Sequence, residues 1–345
     1  MLRIGLICPS EIAFRRFMPA LQKHDDIRYV GVAIASKEEW FGNNDTSDED
    51  FQPIKDSEMQ KAKNFQNPYR GKIFESYTSM ITSDEIDAVY LPLPPELHYK
   101  WAAKALNNNK HAFIEKPSTV SYEQTRELVE LARAKNLALH ENYMFIYHSQ
   151  IKTIRDVILS HEIGDVRLTR IDFGFPERGI KNDFRYIKAL GGGALLDCGG
   201  YTLKLANYIL GGDAQIISAN VGYKEGYDVD IYGAATLKDS NGHIIQVGFG
   251  MDNDYRCTID VWGSKGTLRS KRILTAPVGF ETEYEISRNG VVETFKMDAD
   301  DTFYKSIAFF ENCIKDKDVR EQEYEQILEQ EKLVEQFAQL SGLRD

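Results

Sequence analysis

With 345 residues, 42% of them hydrophobic, and a net charge of −11, the chain is long enough for two domains that each enclose a core. The acidic balance excludes nucleic acid as the main partner, although an anionic small molecule could still meet a locally basic site. Cys8, Cys198, Cys257 and Cys313 show neither CxxC nor zinc spacing, no apolar run is long enough to span a bilayer, and the first strand leaves no room for a secretory signal. The expectation is a reduced, cytoplasmic protein with no metal and no membrane partner.

In the amino-terminal half, strands alternate with single helices. Leu2–Cys8 is an apolar, β-branched run, followed by the amphipathic stretch Ile12–Gln22 and a second strand at Tyr29–Ala35. Trp40–Gly71 is polar, acidic and long for one connection, and reads as a surface elaboration. Ile86–Leu91 is the next strand, and Leu97, Trp101, Ala105 and Leu106 recur at helical spacing over Pro95–Asn109. The strand His111–Ile114 follows; then Ser121-Tyr122-Glu123-Gln124 has capping-box spacing and opens a helix to Lys135, before a strand at Leu137–His140. This order implies parallel βαβ units with right-handed crossovers, an α/β arrangement of the Rossmann dinucleotide-binding kind over residues 1–145.

From residue 146 to 345 the pattern changes. A connecting helix over Gln150–Ser160 leads to strand-like runs at Val166–Phe173, Ile216–Tyr223, Val229–Leu237, His243–Gly250, Arg256–Trp262 and Glu281–Ser287, with hairpin signals at Asn241-Gly242 and Asn289-Gly290. These predict a second α/β domain with a large open, mostly antiparallel sheet. Helices at Phe303–Lys315 and Glu321–Leu340 close the chain and could pack back toward the first domain.

A dinucleotide fold should carry G-x-G-x-x-G in its first strand-to-helix turn. Here the turn reads Cys8-Pro9-Ser10-Glu11-Ile12-Ala13. Ala13 permits close helix packing and Ser10 is small enough for a pyrophosphate to approach, but Cys8 departs from the glycine that a tight turn favours. Backbone N–H groups over Ser10, Glu11, Ile12 and Ala13 remain a candidate phosphate site. After the second strand, Ser36-Lys37 stands where NAD-preferring folds place a carboxylate, and a hydroxyl with a cation suits a 2′-phosphate better, so NADP is favoured over NAD.

Four segments carry the chemistry. Leu91, Pro92 and Pro94, with His98, close one strand and open its helix where a nicotinamide riboside would lie. Glu115-Lys116-Pro117 puts a lysine with an adjacent carboxylate at the carboxyl end of a parallel strand. Asn142 follows the next strand. Arg185 precedes Gly191-Gly192-Gly193, whose small residues would permit close approach to a ligand, and Asp197 and Tyr201 stand i, i+4 on a helix.

In this order and spacing, the segments from Val89 to Gly212 resemble the Gfo/Idh/MocA oxidoreductases, and the resemblance extends over nearly the whole chain. It implies a Rossmann domain joined to an open-sheet α/β domain that often forms a dimer or tetramer interface. It also implies an NAD(P)-dependent dehydrogenase or reductase of a sugar, cyclitol or nucleotide sugar. Lys116 matches the family's catalytic lysine and Asp197 its aspartate, while Tyr201 takes the place usually held by histidine. Lys116 would stabilise charge on the reacting oxygen, Tyr201 would exchange its proton, and Asp197 and Arg185 would contact substrate, with Arg178 and Lys181 beside them. Glu115, Lys116 and Asn142 would also border the cofactor. The family's arginine and proline after Met144 are missing, leaving Tyr147, His148 and Gln150 in that region. A sensor that binds the nucleotide without turnover is the alternative reading.

Overall fold

The computed structural model describes residues 1–42, 46–179 and 183–344. They form two compact units: one comprises Met1–Thr119, Glu123–Asn142 and Ser306–Ile327, the other Val120–Tyr122, Tyr143–Lys305 and Leu328–Asp345.

The first unit is built on a six-stranded parallel sheet of β1 (Leu2–Ile7), β2 (Ile27–Ala33), β3 (Lys72–Phe74), β4 (Ala88–Leu91), β5 (His111–Glu115) and β6 (Leu139–Asn142), in the order β3-β2-β1-β4-β5-β6. That order reverses direction at β1 and β4, and open parallel sheets bind ligands outside the carboxyl ends of the strands at such a point. β4 is buried throughout and β1 over its last four residues, as expected of strands covered on both faces.

Two features differ from the sequence expectation. The polar stretch read as a surface elaboration carries regular structure that was not expected: after α1 (Met18–Leu21) and β2, the chain forms α2 (Lys37–Phe41) and then α3 (Asp48–Tyr69), which leads to the unpredicted edge strand β3. Phe51, Ala62 and Phe65 are its only buried apolar residues, and Pro53 and Pro68 interrupt its pattern, so helical periodicity was faint. The second difference is at the carboxyl end. Ser306–Ile327, which a single cut after 145 leaves in the second domain, belongs to the first unit, in line with the expectation that the closing helices could pack back toward it. Buried groups fix it there: Tyr324 Oη donates to the Leu137 carbonyl, Arg320 to Asn136 Oδ1, and Phe310 packs 5.2 Å from Phe113. The remaining helices of this unit are α4 (Tyr77–Ile81), α5 (Pro95–Asn107) and α6 (Tyr122–Lys135).

In the second unit, α7 (Ser149–Leu159) leads into β7 (Val166–Gly174), and α8 (Gly200–Leu210) precedes β8 (Gln215–Gly222), β9 (Tyr232–Lys238), β10 (Ile244–Gly250), β11 (Arg256–Gly263), β12 (Thr267–Lys271), β13 (Thr282–Arg288) and β14 (Val291–Met297). The eight strands run β14-β13-β12-β11-β7-β10-β9-β8, antiparallel except for β7 beside β10. Strict alternation gives the sheet two faces: Cys257, Ile259 and Val261 are buried, while Trp262 and Tyr232 on the other face are more than half exposed. α9 (Thr302–Lys315) and α10 (Lys317–Leu340) close the chain, and Leu333, Val334 and Phe337 join the second core. No helix among the described residues is long and apolar enough to cross a membrane.

Candidate active site

Lys116 stands half-buried directly after β5, and its bond to Pro117 is cis. Its neighbour Glu115 is held by two donors on one oxygen, Tyr90 Oη at 2.6 Å and Asn142 Nδ2 at 2.7 Å. Burial pushes the Glu115 carboxyl up, against the pull of Tyr90, Asn142 and the Lys116 ammonium. Asn142 is fully buried and reaches Glu115 instead of open space, so its route to a ligand is indirect.

His98 was expected to border the cofactor. It is fully buried, with Nδ1 2.8 Å from the Pro117 carbonyl and Nε2 2.8 Å from the Leu93 carbonyl. Burial pushes its imidazole down to about 4 against the opposing pull of the two carbonyls, so at neutral pH the ring has one N–H to donate to one of them while the other ring nitrogen only packs against the second. Leu91 and Pro92 are buried in the β4–α5 turn, and Pro94, the residue before α5, is half-exposed.

The β1 turn accommodates the absence of glycine by strain. Cys8 has φ 81°, the left-handed conformation that glycine adopts without cost. Its N–H donates to the Ala33 carbonyl at 3.1 Å, and burial, aided by the charge of Glu58, pushes its thiol up to about 12. Ser10 Oγ accepts from the Ala13 N–H at 3.2 Å, and Ala13 is fully buried where the third glycine would pack. A wide π turn over Ala13–Phe17 follows, and such turns often mark functional sites. Glu11 and Ile12 are exposed, Glu11 in a 2.6 Å pair with Arg15. The backbone shape of a dinucleotide turn is therefore present with other residues.

Ser36 caps α2 reciprocally with Glu39. Glu39 also accepts from the Tyr77 and Thr78 N–H groups and Thr78 Oγ1, tying the end of β2 to the start of α4. Lys37 makes a 2.6 Å pair with Asp48, whose side chain is 92% exposed. A pair so exposed holds the ammonium weakly, leaving it available to a phosphate.

In the second unit, Arg185 is clasped by two carboxylates, Asp197 at 2.9 Å from Nε and Asp183 at 3.1 Å from Nη1. Burial opposes its charge, and the two aspartates more than compensate, raising its pKa. Arg185 thus orders Asp197 rather than offering a bare cation. Arg178 is exposed with its guanidinium 5.0 Å from the Phe175 ring; Lys181 lies outside the described residues.

The glycine triplet has a different role from the one its sequence suggested. A Cβ on Gly192 would meet the Arg185 carbonyl at 2.6 Å, and one on Gly193, where φ is +125°, would meet Asp230 Oδ1 at 2.2 Å. The close approach is made by the protein itself. Asp230, not anticipated from sequence, accepts from the Leu195 N–H at 2.7 Å through its carboxylate and from the Ala194 N–H at 2.9 Å through its carbonyl. Burial pushes its carboxyl up to about 6. It anchors the π turn Leu195–Gly199 that carries Asp197 and continues into α8.

Tyr201, in the first turn of α8, is 8% exposed and packs edge-on against Tyr143 and Phe173, with Phe145 at 5.5 Å. Its hydroxyl lies 3.9 Å from Met144 Sδ. Of the replacements after Met144, His148 Nδ1 accepts from the Gln150 N–H at the start of α7, and Gln150 donates to the Arg272 carbonyl, so both serve the fold. No cluster of three or more His, Cys, Asp or Glu able to hold a metal occurs among the described residues.

Comparison with known proteins adds to this geometry. Residues 27–143 match the model described as an oxidoreductase family with an NAD-binding Rossmann fold, and residues 151–269 match the GFO/IDH/MocA C-terminal domain. A dTDP-3,4-didehydro-2,6-dideoxy-alpha-D-glucose 3-reductase from Saccharopolyspora spinosa is 33% identical over 98% of this chain and 96% of its own length. One of the same name from Actinomadura kijaniata is 33% identical over 100% of this chain and 96% of its own length. Among solved structures, a 3-ketoreductase from Actinomadura kijaniata in complex with NADP and TDP-benzene superposes with a TM-score of 0.88 at 31% identity, covering 99% of this chain and 98% of that one.

Proposed function

The chain belongs to the Gfo/Idh/MocA family of NAD(P)-dependent oxidoreductases, and from that premise we propose that it reduces the 3-keto group of a dTDP-linked deoxy sugar with NADPH. The observation that carries the substrate class is the likeness to dTDP-sugar 3-reductases over essentially the full chain. NADPH is favoured over NADH by Ser36 and Lys37 at the end of β2, where a hydroxyl and a weakly held ammonium suit a 2′-phosphate and the neighbouring Glu39 carboxylate is engaged by Ser36, Tyr77 and Thr78.

The residues present fit a dinucleotide. The left-handed Cys8 turn, the Ser10 cap and the buried Ala13 reproduce the shape of the glycine-rich turn at the point where strand order reverses. The Cys8–Ala13 turn, with Ser36 and Lys37, would hold the dinucleotide, whose nicotinamide would supply the hydride for the carbonyl carbon. Lys116 donates a hydrogen bond to the carbonyl oxygen and stabilises its growing negative charge, with Glu115 as the adjacent counter-charge. Tyr201 delivers the proton that completes the alcohol, and Asp197, ordered by Arg185, aligns the sugar hydroxyls. The aromatic packing of Tyr201 fixes its ring in one orientation.

We further read the outer face of the second sheet, with Trp262 and Tyr232 more than half exposed, as the surface that pairs subunits into a dimer or tetramer. The four cysteines are free thiols, in keeping with a reducing cytoplasm.

The test is to follow nicotinamide absorbance with NADPH or NADH against dTDP-3-keto sugars and free sugars. Oxidation of NADPH that requires the dTDP group supports the proposal. Nucleotide binding with no turnover on any of these would favour a sensor, and turnover of free sugars alone would refute the substrate class.

A further inference from the structure

A buried polar chain leads away from Glu115 into the carboxyl-terminal helices. Asn142 Nδ2 donates to Glu115 at 2.7 Å, and its Oδ1 accepts from Ser306 Oγ of α9 at 2.8 Å. Ser306 Oγ in turn lies 2.9 Å from His140 Nε2, and His140 Nδ1 lies 2.7 Å from Glu323 Oε1 of α10. Asn142, Ser306 and His140 are fully buried and Glu323 is 3% exposed. All belong to the first unit.

The direction of the bonds between His140 and Asn142 follows from counting hydrogens. Ser306 has one hydroxyl hydrogen and gives it to Asn142, so it must accept from His140, and Nε2 carries a hydrogen. On its other side the ring is anchored by the contact of His140 Nδ1 with Glu323 Oε1. Phe113 stacks on the His140 ring at 4.7 Å and holds its plane. From His140 onward the donors therefore point one way, through Ser306 and Asn142 to Glu115, and the amide of Asn142 is prevented from turning over. The carboxylate beside Lys116 meets an N–H rather than a carbonyl oxygen. Other titratable groups around this chain are Tyr90 of β4, His98 beneath the lysine loop, Glu141 next along β6, and Cys313 and Arg320 on the helix side.

We propose that Ser306 and His140, anchored by Glu323, are positioning residues for Lys116, acting through Asn142 and Glu115 to hold the lysine's counter-charge in place. The inference rests on Lys116 being the group that meets the reacting oxygen. A buried donor chain of this kind polarises in one sense and is sensitive to loss of any member. Without Ser306 the Asn142 Oδ1 is left unsatisfied, the amide can invert, and Glu115 takes up a proton more readily. Lys116 then loses its partner with no change in its own side chain.

The test uses the full chain with Ser306→Ala, Ser306→Thr, Glu115→Gln and the double variant Ser306→Ala/Glu115→Gln. Two readouts are taken: the pH profile of kcat with NADPH and a dTDP-3-keto sugar, and competitive acetylation of the Lys116 amine against pH, which needs no substrate. Ser306→Ala should lower kcat roughly tenfold, leave KM for NADPH within about twofold, and move the acidic limb of the profile upward. It should also lower the midpoint for acetylation of Lys116, Ser306→Thr should restore both, and the double variant should be no worse than Glu115→Gln alone. Additive losses, or an unmoved acetylation midpoint in Ser306→Ala, would overturn the proposal. If the wild type turned over no dTDP sugar, the substrate reading would fall while the acetylation comparison still decided this one.

Discussion

Asp230 offers a test of how the second unit positions Asp197. Its carboxylate accepts from the Leu195 N–H at 2.7 Å, and burial lifts its pKa from the ordinary 3.8 to about 6. Because folding raises this pKa, the native state holds the proton more tightly than the unfolded chain does. Its contribution to stability is fully present below about pH 3.8 and is lost as the pH rises through about 6. The complete shift corresponds to about 3 kcal/mol, of which about 1.4 kcal/mol falls between about pH 5 and pH 8. Asp230→Asn keeps an oxygen for the Leu195 N–H and removes the ionisation. Urea unfolding at both pH values should therefore show wild type losing about 1.4 kcal/mol more than the variant on going from the lower to the higher pH. Identical pH dependence in the two proteins would refute the assignment of a strained, buried carboxylate to this turn.

Three further outcomes follow from the same geometry. Gly193→Ala meets both a φ of +125° and Asp230 Oδ1 at 2.2 Å, so it should cost about 2–4 kcal/mol in urea unfolding and depress kcat, whereas Gly179→Ala, in open space, should cost only about 1–2 kcal/mol from its φ of +63°. Cys8→Gly should relieve the left-handed strain and bind NADPH at least as tightly as wild type, while Cys8→Val, β-branched at φ 81°, should lose about 2 kcal/mol of stability and weaken binding, both read by melting and nucleotide titration. Lys37→Ala should weaken NADPH about tenfold and leave NADH nearly unchanged in fluorescence titrations, since only the 2′-phosphate meets the ammonium, and removing its surface partner with Asp48→Ala should leave stability within about 0.5 kcal/mol.

How much of this was legible in the sequence differs by element. Most strands of both sheets announced themselves, as continuous apolar runs in the parallel sheet and as alternating runs in the second, but β3, β12 and β14 did not: they are short or largely exposed. α3 did not, since only Phe51, Ala62 and Phe65 among its apolar residues are buried. That Lys116 directly follows β5 and that Asp197 stands in the turn leading into α8 could be read from sequence, while the roles proposed for them come from the family resemblance. Gly191-Gly192-Gly193 was noticed, but the groups that crowd Gly192 and Gly193, the Arg185 carbonyl and Asp230, could not be foreseen because folding brings them there. The partners of Asn142 were out of reach for the same reason: Ser306 is 164 residues away along the chain. The polar run His140-Glu141-Asn142, which fills most of the wholly buried β6, was the one available hint that buried partners must exist.

The central claim is that Lys116 serves a hydride transfer to a dTDP-linked 3-keto sugar. Its most direct test is a single-turnover reaction with deuterated NADPH, comparing wild type with Lys116→Met and reading deuterium in the sugar product by mass spectrometry. Wild type should place the label on the sugar carbon, and the variant should bind NADPH within about threefold of wild type yet transfer the label at least about a thousandfold more slowly. Undiminished transfer in Lys116→Met, or no label on the sugar with wild type, would contradict the account.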